Sequence, residues 1–201
     1  MNFRDLTKDD IEVRVQSVKK NGLVLLLYKN ARVDMNILDE TVGAENWQRE
    51  HYEVKGNMFC RVGIKVGKAY TPTNLTYSDS TAQTISNSVY SYPEWVWKSD
   101  CGTESNTEAQ KGEASDSFKR ACFNWGIGRE LYSSPFIWVN EGKYKVNANG
   151  QCHDSFSVEK IKIENKRIVG LAIRNDRIFR ETNDAKAARA FVYTEEKADA
   201  Q

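Results

Sequence analysis

The sequence lacks a long hydrophobic run. No segment approaches the roughly 20 consecutive apolar residues that a membrane-spanning helix requires. The N-terminal segment MNFRDLTKDDIEV carries charge from Arg4 onward and has no apolar region of the kind that a secretory signal needs. We therefore expect no membrane span and no secretory signal, and a cytoplasmic location.

Cysteine and histidine are scarce and scattered. The four cysteines share no CxxC spacing, and a zinc site would have to bring His51 or His153 together with cysteines from distant positions. Structural zinc sites usually show paired ligands, so this pattern argues against zinc. We predict reduced, free thiols in a protein of a reducing compartment.

An excess of charge of either sign is also missing. Lysine and arginine number 29 and aspartate and glutamate 28, which gives a formal net charge of +1. Any binding of nucleic acid must therefore rest on a local basic patch rather than on the total charge. No GxxxxGK[ST] sequence is present, so we predict no ATP site and no cofactor.

What is present is a pattern of strands and helices typical of an α+β fold. Alternation from Ile11 and the turn sequence KKNG predict a hairpin, and WQREHYEV and MFCRVGIKV predict two more strands joined by KGN. A helix is predicted from about Asn30 to Val42, and a second from Ser105–Asn106 to Trp125, with glycines ending both. Short strands are expected afterwards. We therefore predict an antiparallel sheet with helices packed against it.

The first predicted helix carries two apolar stripes. Ala31, Met35, Leu38 and Val42 form one, and Val33 and Ile37 form the other. A helix that is apolar on two sides is packed on two sides. The second neighbour is either another subunit or part of one larger core.

The second predicted helix places a basic pair, Lys119–Arg120, away from its apolar arc. On a helical wheel Lys119 flanks this arc and Arg120 lies opposite it, near Asp116, while Phe123 also points outward. Two cations beside an exposed ring suit single-stranded nucleic acid, because the charges bind phosphate and the ring stacks on a base. The alternative is a solvated helix face with a stray phenylalanine. The arc itself comprises Ala114, Phe118, Ala121, Cys122 and Trp125.

Acidic residues near the start of this helix permit a different hypothesis. Asp100, Glu104 and Glu108 form a candidate metal-dependent nuclease site, since Glu104 and Glu108 are one helical turn apart. A further alternative is a viral structural or adaptor protein without DNA activity, in which the apolar helix stripes serve assembly alone.

Three segments together resemble a known family: KGEASDSFKRACFNWGIGRELY, WVWKSDCGTE and ARVDMNILDETVGAENW. They resemble the Rad-fifty-two superfamily of single-strand annealing proteins, and most closely its small phage members of the Sak type, over roughly residues 8–135. The resemblance implies a curved antiparallel sheet against a long helix, and subunits that assemble into rings or arcs. It also implies ATP-independent annealing of single-stranded DNA in recombination and repair, without an enzymatic reaction.

The resemblance further implies which residues contact DNA. The family's inner groove would carry over to Arg32, Lys119 and Arg120, with Lys111 on the same helix and Phe123 where the family often has another cation. An outer DNA site would carry over to Lys65 and Lys98. A single-strand-binding protein or an exonuclease is a further partner that the resemblance leaves open.

The resemblance also suggests a division of the chain. We expect an annealing core at 1–136, interrupted by a long polar insertion at about 69–93, then a small β extension at 137–180 and a polar C-terminal tail at 181–201. The protein would be phage-encoded and would act in the cytoplasm of a bacterial host.

Overall fold

The structure is a computed structural model that describes residues 1–70, 90–103 and 109–195. In chain order the strands are β1 (Glu12–Lys19), β2 (Gly22–Tyr28), β3 (Trp47–Val54), β4 (Asn57–Tyr70), β5 (Tyr90–Cys101), β6 (Ile137–Asn140), β7 (Phe156–Glu164), β8 (Arg167–Asn175) and β9 (Arg189–Thr194). The helices are α1 (Ala31–Val42), α2 (Ala109–Trp125), α3 (Asp176–Thr182) and α4 (Ala185–Ala188). All strand pairs are antiparallel, so the predicted mixed class with an antiparallel sheet is confirmed. Within the described ranges, no helix has the length and apolar character needed to cross a membrane.

The chain divides into two compact units. Residues 1–41 and 122–201 form the first, and residues 42–121 form the second, so the division falls inside α2. The first unit holds a six-stranded sheet in the order β6-β2-β1-β7-β8-β9. Its two outermost strands, β6 and β9, approach each other, so the sheet is strongly curved.

The β1–β2 hairpin forms where the alternation predicted it. Lys19 pairs with Gly22, which leaves a two-residue turn at Lys20–Asn21. The apolar run that follows is the interior strand β2, and Leu23 and Leu25 are fully buried. Full burial of these two leucine side chains contributes about 4 kcal/mol of hydrophobic free energy, at about 2 kcal/mol for each side chain.

Helix α1 begins and ends as predicted, but it has one buried face. The Asn30 side chain accepts hydrogen bonds from the first backbone N–H groups of the helix, and Gly43 follows it with φ of 86°. The two apolar stripes that we predicted merge, because Val33, Ile37 and Leu38 are buried together while the rest of the apolar positions are half-buried.

The second unit contains a three-stranded sheet in the order β3-β4-β5. The predicted KGN turn is confirmed: Lys55 and Gly56 both have positive φ, as a two-residue hairpin turn requires. Strands β4 and β5 pair as far as Tyr70 and Tyr90. The polar insertion predicted at 69–93 thus adjoins a hairpin, and its central residues 71–89 lie outside the described residues.

The C-terminal segments contribute strands to the first unit. β6, β7 and β8 join the sheet that contains β1 and β2, and the segment predicted as a polar tail includes β9, which pairs with β8. Ala188, at the end of α4, is fully buried. The division of the chain into core, extension and tail stays a prediction.

Candidate nucleic-acid interface

Helix α2 is anchored in the second unit by one face, as its apolar arc predicted. Phe118 and Ala121 are fully buried there, and Ser117 is buried beside them. The Phe118 ring stacks on Trp47 with centroids 6.2 Å apart, and the Arg49 guanidinium carbon lies 4.7 Å from the Phe118 centroid. Aromatic and cation–π contacts of this kind add to the burial of the ring.

Polar contacts fix the direction of α2 across β3 and β4. His51 Nε2 lies 3.0 Å from the Ala114 carbonyl oxygen, and the Glu113 side chain accepts a hydrogen bond of 2.7 Å from the backbone N–H of Met58. Gly102 lets the chain after β5 approach the helix backbone, because a Cβ there would come within 2.8 Å of the Ser117 nitrogen. The helix is therefore held at its first turns as well as at its core face.

The basic pair on α2 lies deeper than the helical wheel predicted, and it is next to acids. Lys119 Nζ is 3.9 Å from Asp116 Oδ1, and Arg120 Nε is 3.3 Å from Asp100 Oδ1. The two basic side chains are 21% and 39% exposed. The local charge is thus partly balanced within the unit, and each cation is positioned by an acid that is itself partly exposed.

Lys111 and Arg32 are both exposed, and they lie on different helices. On an ideal helix Lys111 projects about 80° from Lys119 and about 180° from Arg120, so α2 does not present these cations as one stripe. Arg32 lies in the first turn of α1, where the helix dipole disfavours a cation. Arg32 therefore does not stabilise α1 through the helix dipole, and helix stability does not explain why an arginine occupies this position.

Phe123 contacts a buried cation that the sequence reasoning missed. Lys29 is 3% exposed, forms a fully buried ion pair with Asp34, and places its Nζ 4.4 Å from the Phe123 ring centroid. Tyr132 packs edge-on against the same ring, with centroids 4.9 Å apart. The position of Phe123 is thus fixed within the first unit, and its contact with a DNA base stays a prediction.

The two glycines after α2 have different roles, of which the first was predicted. Gly126, with φ of 97°, ends the helix, and Gly128, with φ of 71°, allows a close approach. A Cβ at Gly128 would overlap the Lys29 Cε and Cδ atoms and lie 3.2 Å from Phe123 Cε1. The close approach is therefore to a buried lysine side chain.

The two candidate outer-site lysines point to opposite faces of the β3–β5 sheet. Lys65 pairs with Trp95, and Lys98 pairs with Val62. Directly paired residues of antiparallel strands share a face, and successive residues alternate. Since 62 and 65 differ by an odd number, Lys65 and Lys98 lie on different faces, and Lys98 shares the face of the buried Val62.

The described residues do not form a metal site, and the buried thiol of Cys60 is not activated. Among them, no group of three or more His, Cys, Asp or Glu residues is arranged to hold a metal ion. Asp100, from the nuclease alternative, faces Arg120, and Glu104 and Glu108 lie outside the described residues. Burial raises the pKa of Cys60 to about 11, so this thiol stays protonated at neutral pH.

Comparison with known proteins finds a family match. The model of a family described as Rad52/22 family double-strand break repair protein matches residues 3–150, which is more than half of the chain. The matched range includes α1, α2 and every residue of the candidate interface. No curated protein and no solved structure shows significant similarity to the chain.

Proposed function

Because the chain belongs to the Rad52/22 family of double-strand break repair proteins, we propose that it binds single-stranded DNA and anneals complementary strands in recombination, without ATP. The observation that carries the proposal is the family match over residues 3–150, which contains the adjacent cations on α2. Annealing needs no covalent bond to be made or broken in the DNA, so the protein acts by holding one strand extended and accessible.

In this proposal, Lys119 and Arg120 exchange their carboxylate partners for phosphate. Asp116 and Asp100 hold the two cations in place before DNA binds. A backbone phosphate carries one negative charge and two non-bridging acceptor oxygens, much like a carboxylate, and its binding also releases counterions from the strand. Arg32, Lys111 and Phe123 extend the inner groove, and Lys65 and Lys98 act at secondary positions.

Self-association multiplies this small patch. We propose rings or arcs of subunits, in which a strand contacts many copies and avidity raises the overall affinity. The apolar side chain of Phe136 is 71% exposed and that of Tyr132 is 67% exposed, and both suit a subunit contact. We further propose the family arrangement of a curved sheet against the long helix α2.

The biological setting in the proposal is recombination of a phage genome in a bacterial cytoplasm. A single-strand-binding protein that coats the substrate, or an exonuclease that generates it, would be the protein partner.

The test is annealing of two complementary labelled oligonucleotides, followed by fluorescence quenching with chelator present and nucleotide absent. We expect faster annealing than the spontaneous rate. Lys119→Ala and Arg120→Ala should each weaken binding about tenfold and flatten the dependence of log K on log salt by about 0.7. Asp100→Asn should act in the opposite direction, because it removes the competitor for Arg120.

Lys20→Ala is the matched control, since Lys20 is exposed in the β1–β2 turn, outside the proposed interface. If both α2 variants bind and anneal as the parent does, the assignment of the groove is wrong. If the parent itself gives no acceleration at low salt, an adaptor function without DNA activity replaces the annealing function.

A further inference from the structure

One face of the β3–β5 sheet combines tryptophans with cations. Arg61, Gly63 and Lys65 occupy every second position of β4. Gly63 pairs directly with Trp97 of β5, and Lys65 pairs with Trp95. Paired residues share a face, so these five residues form one surface, which we call the Trp97 face. The buried Cys60, Val62 and Ile64 point to the opposite face.

Gly63 lets the Trp97 ring lie flat on β4. A Cβ at Gly63 would come within 2.8 Å of Trp97 Cε3 and Cζ3, which is closer than any side chain tolerates. The six-membered ring therefore lies directly over the backbone of the neighbouring strand. Trp95 lies beside it, with ring centroids 6.1 Å apart and planes inclined by 31°. The result is a fixed pair of indoles that stays half-exposed.

Cations flank this pair on the same face. The Arg61 guanidinium carbon lies 4.5 Å from the Trp97 ring centroid, and Arg61 Nε is 2.9 Å from Glu50 Oε2. The ion pair with Glu50 orients the guanidinium plane and balances its charge. Lys65 is exposed at the Trp95 end of the face. The surface thus offers the Trp95 ring, the Arg61 guanidinium plane over the Trp97 ring, and the exposed ammonium group of Lys65.

This combination fits an unpaired nucleobase better than an apolar protein segment. Indole and guanidinium planes both stack on bases, and an exposed lysine suits the adjoining phosphate. Packing against a protein segment would desolvate Arg61, Glu50 and Lys65 without supplying partners for them. The absence of a side chain at Gly63 also lets the aromatic ring of Trp97 lie flat on the sheet.

We propose that the Trp97 face binds bases of single-stranded DNA by stacking, with Lys65 on a neighbouring phosphate. The inference rests on the proposed single-stranded DNA binding, and it adds a base-dependent contact to the phosphate contacts of α2. It also separates the two outer-site lysines: Lys65 belongs to the Trp97 face, and Lys98 does not.

The experiment compares a thymidine oligonucleotide with an abasic oligonucleotide of the same length, which keeps the phosphates and lacks the bases. Binding is measured for the parent, Trp97→Leu and Trp97→Phe. We expect Trp97→Leu to bind the thymidine strand about tenfold more weakly than the parent and the abasic strand equally well. Trp97→Phe, which keeps a ring, should retain most of the preference for bases, and it also provides a folded variant if Trp97→Leu is unstable.

Trp138→Leu is the matched control. Trp138 also lies across a strand glycine, Gly22, but it stacks on Phe136 and donates to Asn140 instead of meeting a cation. Equal losses in Trp138→Leu and Trp97→Leu would overturn the assignment to this face. An unchanged preference for bases in Trp97→Leu would overturn the inference and leave the proposed function standing. If the parent binds neither oligonucleotide, the proposed function fails, and the inference fails with it.

Discussion

Replacement of Gly128 by alanine tests whether the buried Lys29 holds the junction that follows α2. Gly128 has φ of 71°, and a Cβ there would overlap the Lys29 side chain. Lys29 is 3% exposed and is held between Asp34 and the Phe123 ring, so its methylene groups have little room to move. The substitution therefore has two costs, one in the backbone and one in the lysine.

Gly126→Ala separates the two costs. Gly126 also has positive φ, of 97°, but a Cβ there would meet nothing within 4 Å. Left-handed backbone costs alanine about 1–2 kcal/mol. Alanine also lowers the conformational entropy of the unfolded chain relative to glycine. This effect offsets part of the backbone cost, by about the same amount in both variants. The difference between the two variants then reports the displacement of Lys29.

The size of that difference follows from the buried ion pair. Leaving a buried charge without its partner costs about 3–5 kcal/mol. We therefore expect Gly126→Ala to lower the free energy of unfolding by about 1 kcal/mol, and Gly128→Ala to lower it by up to about 4–6 kcal/mol. Domains of ordinary stability, at about 5–15 kcal/mol, survive the first change, and the second brings them to the margin of unfolding.

Urea denaturation followed by circular dichroism measures both values. Equal losses in Gly126→Ala and Gly128→Ala would refute the reasoning, since they would mean that the Lys29 side chain moves aside without losing Asp34. A loss in Gly128→Ala that exceeds the loss in Gly126→Ala by less than about 1 kcal/mol would limit Lys29 to a packing role, because the ion pair would then be intact.

Two further predictions concern other parts of the first unit. Burial alone would raise the pKa of Asp154. Hydrogen bonds from Arg177, from Asn175 and from a backbone N–H outweigh the effect of burial, so the pKa of Asp154 lies below its ordinary value. This stabilisation is present above the unfolded pKa of about 3.9 and is lost as the pH falls through the folded pKa. Denaturation midpoints at pH 5 and pH 3 should therefore differ less in Asp154→Asn than in the parent, and equal differences would contradict the assignment. Phe136→Ser should reduce self-association without lowering the melting temperature, whereas Val192→Ser, which changes an apolar residue on β9 that is 59% exposed, should leave the oligomer intact. Light scattering after size exclusion measures the oligomeric state of both variants. An unchanged oligomer in Phe136→Ser would place the subunit contact elsewhere.

Local patterns in the sequence predicted the local structure. The KKNG turn, the alternation in β1, the Gly43 stop and the glycines after Trp125 each depend on a few neighbouring residues, and the structure confirms them. The direction of side chains on β5 was also predictable, because Trp95 and Trp97 are separated by one residue and so share a face.

Contacts between distant segments were not predictable in the same way. Asp100 was assigned to a nuclease alternative, yet it lies beside Arg120, and this pairing depends on how β5 and α2 pack. The burial of Lys29 went unnoticed because its position follows from the fold of the first unit. A sequence signal existed: a lysine directly after the apolar run of β2, five residues before an aspartate on the buried face of α1.

The ion pairs on α2 change how the near-neutral charge of the chain should be understood. A free Lys119–Arg120 pair would attract any polyanion, whereas in the proposed interface the cations held by Asp116 and Asp100 would have to give up these partners to bind phosphate. The exchange makes each contact weak on its own, since part of the gain replaces an existing interaction. In the proposed assembly, weak contacts repeated over many copies would let a strand be held and still move against its neighbours, as the proposed annealing requires. A single subunit should therefore bind single-stranded DNA poorly, and affinity should rise steeply with the number of adjoining copies.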